Sequence, residues 1–300
     1  MKIRAKNFLV FFFLIIYAAV LIFSQKYLEN YFFSFIAQPI LDIPELKIPV
    51  KKPKPEIDAK SVVSFRIGGR EKVLLSKNPE DVLPIASLTK LMTALIVFED
   101  ENYDLEKTWV TISKTAADQE KVPNYGDLDK EVGKKFKVGT LLNLMLVYSS
   151  NDAAYALAEE VGIKDFVNKM NQKAREIGME KTAFFNPTGL RDGDLNLSTA
   201  NDLLKMVSYI LKEKPEIFEM TKEKGVFKAS NSIFDIILPE GKELVGGKTG
   251  YLPEAGGCMI YIFKDESGTL FLNIILGTNK VEERVNQTQK LVDWTIYGKL

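Results

Sequence analysis

The chain has 300 residues, 40 basic and 40 acidic, for a formal net charge of zero, and it contains no histidine. Balanced charge gives no field that favours nucleic acid, and the missing imidazole excludes every Ser–His, Cys–His and His-ligated metal mechanism. Cys258 is the only cysteine, which excludes an intramolecular disulfide and a thiolate metal cluster.

A hydrolase built on this sequence must therefore take lysine, a carboxylate or tyrosine as its base. At 46% hydrophobic and 27% charged the composition is that of a globular protein with ample core.

Lys2, Arg4 and Lys6 precede an uncharged apolar run from Phe8 to Phe23, followed by Tyr27, Tyr31, Phe32, Phe33 and Phe35. This reads as a membrane anchor with aromatic residues at its interface. A cleaved secretory signal is the alternative, although no Ala-x-Ala pattern follows. Positive-inside logic places the N-terminus in the cytoplasm and the rest outside. Five prolines between Gln38 and Glu56, with Lys51, Lys52 and Lys54, read as an extended linker. The predicted organisation is thus a basic stub and anchor or signal over 1–25, a linker over 26–56, and a folded domain over 57–300.

Within that domain, Ser61–Ile67 alternates as a strand, Gly68-Gly69 turns, and Lys72–Ser76 returns. A helix is predicted from about Ser87 through the apolar run to Phe98. Glu106–Ser113 is β-like, and Ala117–Phe136 reads as loops. Helices are predicted over Val138–Val147, Asn151–Val161, Asp165–Ile177 and Ser198–Leu211, with turns over Asn186–Asn196. From Val226 to Asn279 the chain is mostly strand, and Glu282–Tyr297 closes with a helix. Strands at both ends with helices between predict an α/β fold of the α+β type: a mainly antiparallel sheet flanked by helices, with a mostly helical subdomain inserted.

Three short patterns carry chemistry. Ser87 lies three residues before Lys90 in PIASLTKLMTALIVF, so in a helix both share one face. A desolvated lysine loses its proton and activates a neighbouring hydroxyl. With 14 Ser and 34 Lys in the chain, chance alone supplies about 1.6 Ser-x-x-Lys matches. A capping serine beside an exposed lysine is therefore the plain alternative. Ser149-Ser150-Asn151 falls where one apolar helix stops and the next starts. Lys248-Thr249-Gly250 ends a strand candidate, where Lys248 also fits a charge that guards a sheet edge. All three patterns in this order have a chance expectation of roughly 0.02.

Ser-x-x-Lys, Ser-x-Asn and Lys-Thr-Gly together are the motif set of penicillin-binding proteins and serine β-lactamases. The surrounding blocks PIASLTKLMTALIVFE, YSSNDAAYALAE, NPTGL and GGKTGYLPEAGGC resemble the low-molecular-weight D-alanyl-D-alanine carboxypeptidases, the S11 peptidase family. The resemblance covers about Val62 to Tyr297 and implies a β-lactamase/transpeptidase-like fold. It implies Ser87 as nucleophile, Lys90 as its base, Ser149 as proton relay and Asn151 as a group holding the substrate amide and the Lys90 head. It implies Lys248 and Thr249 as partners of the substrate carboxylate, and Gly250 as the point where substrate backbone approaches the strand. The backbone N–H groups of Ser87 and Tyr251 would form the oxyanion hole.

The implied substrates are peptidoglycan stem peptides, with β-lactams as covalent inhibitors and no metal or cofactor. The implied location is the extracytoplasmic face of a bacterial plasma membrane. Two positions depart from the family, which often has histidine where this chain has Leu197 and Tyr251; altered substrate preference is expected. A class A β-lactamase needs a deacylating glutamate, and NPTGLRDGDLNLSTAND contains none. A non-catalytic penicillin or peptidoglycan sensor on the same fold is the remaining alternative, against which the intact nucleophile and base both argue.

Overall fold

A computed structural model describes residues 2–36, 53–68, 71–119, 128–223 and 232–298. The chain divides into two units, 1–50 and 51–300. In the first, α1 (Lys2–Ile36) is a single helix. Its apolar span, Val10–Phe32, is 23 residues with mean hydropathy 1.9, enough for the roughly 20 residues that a bilayer core requires. The sequence reading stopped the run at Phe23 because Ser24, Gln25 and Lys26 interrupt it. The helix continues through them, since isolated polar residues do not break i→i−4 hydrogen bonding.

The second unit begins with β1 (Ser61–Ile67), β2 (Lys72–Lys77) and the short β3 (Leu83–Pro84). A 3-10 turn over Ala86–Leu88 leads into α2 (Thr89–Glu99). There follow β4 (Trp109–Thr111), α3 (Lys114–Ala117), β5 (Lys135–Lys137), α4 (Val138–Val147), α5 (Asn151–Glu159) and α6 (Ile163–Glu176). Then come β6 (Leu197–Ser198), α7 (Ala200–Glu213) and α8 (Glu216–Thr221). The unit closes with β7 (Glu243–Leu252), β8 (Gly256–Lys264), β9 (Leu270–Thr278) and α9 (Glu283–Tyr297).

The main sheet has the order β2-β1-β9-β8-β7, every neighbouring pair antiparallel. The chain thus enters the sheet with β1–β2, leaves to build the helical part from α2 to α8, and returns with β7–β9, the α+β arrangement expected. Strand β8 explains why the C-terminal region reads as continuous apolar sequence. Ile260 and Ile262 pack on the face that holds α2 and α7, while Met259, Tyr261 and Phe263 pack on the face covered by α9. A strand buried on both faces loses its alternation. The same logic applies to α2, whose residues from Thr89 to Val97 are all buried, as in a helix packed on every side.

Three expectations change. The α-helix begins at Thr89, not Ser87. Ala86 takes a left-handed backbone, φ 45°, and the next residues close as a 3-10 turn. Helix α8 was not foreseen, because six residues after Pro215 are too few to show a 3.6-residue period. The predicted strand content from Val226 begins only at Glu243; 224–231 lie outside the described residues, and Ser232–Asp235 is a 3-10 turn. Part of the predicted loop after Ala117, residues 120–127, and Gly69 also lie outside the described residues.

Candidate functional site

Ser87 sits in the 3-10 turn, and this geometry serves the Ser-x-x-Lys spacing. With three residues per turn, positions i and i+3 eclipse. Lys90 Nζ lies 3.0 Å from Ser87 Oγ. The lysine is fully buried, which overturns the reading of an exposed first-turn residue. Its head also donates to Asn151 Oδ1 at 2.7 Å and to the carbonyl of Thr188 at 2.6 Å.

The second motif lies in the α4–α5 junction. Ser150 is the N-cap of α5, accepting from Ala153 N–H, so Asn151 is not the cap and its side chain is left to meet Lys90. Ser149 adopts φ 60°. This left-handed residue turns the chain between two helices, and its hydroxyl accepts from Lys248 Nζ at 2.9 Å.

Lys248 comes from β7, which is an edge strand as expected, yet its side chain is fully buried. A charge that guards an edge must reach water, so that alternative fails. Its other acceptor is its neighbour's carbonyl, Thr249 O, at 3.1 Å. Thr249 is also buried. At Gly250 the strand presses on the 3-10 turn: an added Cβ would stand 3.1 Å from both Ile85 O and Ser87 N. Gly250 is therefore glycine because a neighbouring backbone approaches it. Tyr251 follows with a half-exposed side chain. The structure thus brings Ser87, Lys90, Ser149, Asn151, Lys248 and Gly250 into one constellation, with Thr249 beside them and Tyr251 at the strand's exposed end.

Three contributors were not legible in the sequence. The Asn-Pro-Thr-Gly-Leu segment supplies Thr188 O, a backbone atom with no side-chain signature. Asn196 ties that segment to Thr89. Arg284, on α9, donates to Gly250 O at 3.0 Å and so holds the end of β7. Cys258 pairs with Gly250 across β7 and β8; it is fully buried, and burial pushes its thiol up to about 11, as suits a small core residue.

Neither Lys90 nor Lys248 pairs with a carboxylate among the described residues. Burial drives the Lys90 ammonium well below its usual range, and the charge of Lys248 adds to this. Burial first, then the Arg284 guanidinium, brings Lys248 down to about 7. The arrangement can hold one lysine neutral beside a hydroxyl and present a second lysine to an incoming anion.

The shift of Lys248 has a stability consequence. Its folded-state pKa lies below the ordinary lysine value of about 10.4, so between about pH 7 and 10 the unfolded chain binds more protons than the folded one. Stability then rises with pH across that window. The wild type should gain stability relative to Lys248→Met as pH increases from 7 to 10, and denaturant melts of both proteins at several pH values read this directly. A difference that stays flat would mean that Lys248 keeps an ordinary pKa.

A family model described as D-alanyl-D-alanine carboxypeptidase, Peptidase S11, matches residues 48–279. The D-alanyl-D-alanine carboxypeptidase DacF of Bacillus subtilis is 31% identical over 237 residues, which span 74% of this chain and 58% of that protein. A D-alanyl-D-alanine endopeptidase of Escherichia coli is 34% identical over 218 residues, 69% of this chain and 67% of that one. Among solved structures, penicillin-binding protein D2 from Listeria monocytogenes in its ampicillin-bound form superposes with a TM-score of 0.70 at 29% identity, covering 80% of this chain and 98% of that one.

Proposed function

The chain belongs to the S11 family of D-alanyl-D-alanine carboxypeptidases, and from that premise we propose that it removes the terminal D-alanine from peptidoglycan stem peptides through an acyl-enzyme on Ser87. The observation that carries this reading is the buried Lys90 amine, 3.0 Å from the Ser87 hydroxyl. A general base must stand within hydrogen-bond reach of the proton it takes.

In this mechanism Ser87 Oγ attacks the carbonyl between the two D-alanines, and its proton passes to Lys90 Nζ. Negative charge develops on the carbonyl oxygen, which the N–H groups of Ser87 and Tyr251 stabilise. The C–N bond breaks as Ser149 relays to the departing amine the proton that Lys90 took from Ser87, which returns Lys90 to its neutral form for the attacking water, while Lys248, 2.9 Å from Ser149, keeps its charge. Asn151 holds the Lys90 head and the substrate amide. Lys248 and Thr249 meet the substrate's terminal carboxylate, which supplies the counter-charge that the buried lysine otherwise lacks. Water then hydrolyses the acyl-enzyme. β-Lactams enter as covalent inhibitors by acylating the same hydroxyl.

Lys248→Ala tests the carboxylate role. Charge-assisted hydrogen bonds contribute about 1.5–3 kcal/mol, so kcat/KM for a peptide ending in D-Ala-D-Ala should fall roughly 10- to 150-fold, while the corresponding C-terminal amide should change far less. An equal fall for both peptides, or a collapse of the melting temperature, would assign Lys248 a structural role. The endopeptidase relative favours a second reading, cleavage within a cross-link. Wild-type preference for the amide over the free carboxylate would select it.

Helix α1, with its apolar Val10–Phe32 span behind Lys2, Arg4 and Lys6, holds the enzyme at the extracytoplasmic face of the plasma membrane. The proline-rich stretch after this helix serves as linker to the peptidase domain over 57–300, so the anchor runs beyond the 1–25 read from the sequence. Cleavage of α1 as a signal is the other outcome, and the mass of the mature protein distinguishes them.

A further inference from the structure

The segment Asn186–Leu190 is folded on itself by one side chain. Asn186 Oδ1 accepts from Gly189 N–H at 2.8 Å, from Thr188 Oγ1 at 3.0 Å and from Thr188 N–H at 3.2 Å. Its Nδ2 donates to Leu190 O at 2.8 Å. The residue is buried, so these bonds form out of water.

The folded segment is then fixed to α2 at three places around Lys90. Asn196 Nδ2 bridges Asn186 O and Thr89 Oγ1. Thr93 Oγ1 donates to Pro187 O at 2.7 Å. Lys90 itself donates to Thr188 O at 2.6 Å. The fit leaves no slack: Gly189 has φ 85°, and an added Cβ would overlap Ala86 O at 2.1 Å.

The consequence for Lys90 is a matter of valence. A neutral amine has two N–H groups and one lone pair. Lys90 Nζ has three partners: Asn151 Oδ1, Thr188 O and Ser87 Oγ. The first two are carbonyl oxygens and can only accept. In the neutral amine they occupy both N–H groups, and the lone pair is left facing the hydroxyl.

We propose that Asn186 is a positioning residue for the general base: by closing the Asn-Pro-Thr-Gly turn it aims the Thr188 carbonyl at Lys90, so that the amine's lone pair points at Ser87. This rests on the assignment of Lys90 as the base of Ser87. The sequence displays Asn186 only as a turn residue, and Thr188 acts through its backbone.

The test measures penicillin acylation of the full chain in detergent, separating the non-covalent dissociation constant from the acylation rate constant. Asn186→Ala should lower the acylation rate constant at least tenfold and leave the dissociation constant within about twofold. Asn186→Asp keeps the acceptor oxygens and should recover most of the rate. Thermal melts of both variants report the folded fraction, and rates are expressed per folded protein. An Asn186→Ala rate equal to wild type overturns the proposal. So does a loss that Asn186→Asp shares in full, and so does a loss confined to the dissociation constant. Failure of the underlying assignment looks different: the wild type itself would not acylate, or acylation would survive Lys90→Met.

Discussion

Ser87→Ala is expected to abolish covalent capture of a penicillin and to lower D-alanine release by at least about 10⁴-fold, since loss of a nucleophile leaves only binding and oxyanion stabilisation. The hydroxyl is held where α2 begins, by a 3-10 turn that follows a left-handed Ala86 and lies under the backbone of Gly250. Removing Oγ takes away one of three partners of Lys90 and leaves those backbone features intact. Stability should therefore change by no more than about 1 kcal/mol. Mass spectrometry of the intact protein after exposure to a penicillin reads the adduct, and a thermal melt reads the fold. An adduct that persists in the variant places the nucleophile elsewhere.

Lys90→Met should be nearly as damaging. Methionine keeps the length and apolar body of the side chain but supplies no base, and general-base catalysis contributes about 10²–10⁴-fold. The acylation rate constant should fall by that factor while non-covalent binding, which we propose rests on Lys248, is retained. The structural cost has two opposing parts. Asn151 Oδ1 and Thr188 O lose a donor, at about 1–3 kcal/mol for each acceptor left unsatisfied. Against this, the fold no longer buries an amine that has no carboxylate partner. A Lys90→Met protein that is folded and acylates at the wild-type rate would remove Lys90 from the mechanism.

These two residues and Lys248 were legible in the sequence because each contributes its side chain at a fixed spacing. Three patterns in order made coincidence improbable even though no one pattern did. What the spacing left open was burial. A buried and a solvated lysine look alike in a motif, and only the packing of α2 on every side, and of β7 against the 3-10 turn, shows that both lysines are dry. The start of α2 was misplaced by two residues because the left-handed turn at Ala86 carries no glycine or asparagine to announce it. Thr188 was invisible for a different reason: any residue has a carbonyl, and which one meets Lys90 depends on how Asn186 and Asn196 fold the intervening turn. Arg284 stands 34 residues beyond Gly250, near the end of the strand that it holds, and an isolated arginine at a helix start has no local pattern to mark it.

The central claim is that this site hydrolyses the D-Ala-D-Ala bond, and the direct measurement is D-alanine release from a peptide ending in D-Ala-D-Ala by the full chain in detergent. Steady release that disappears in Ser87→Ala is the result predicted. No release from a folded protein that still captures penicillin on Ser87 would contradict it; a long-lived adduct would then mark a sensor and a short-lived one a β-lactamase.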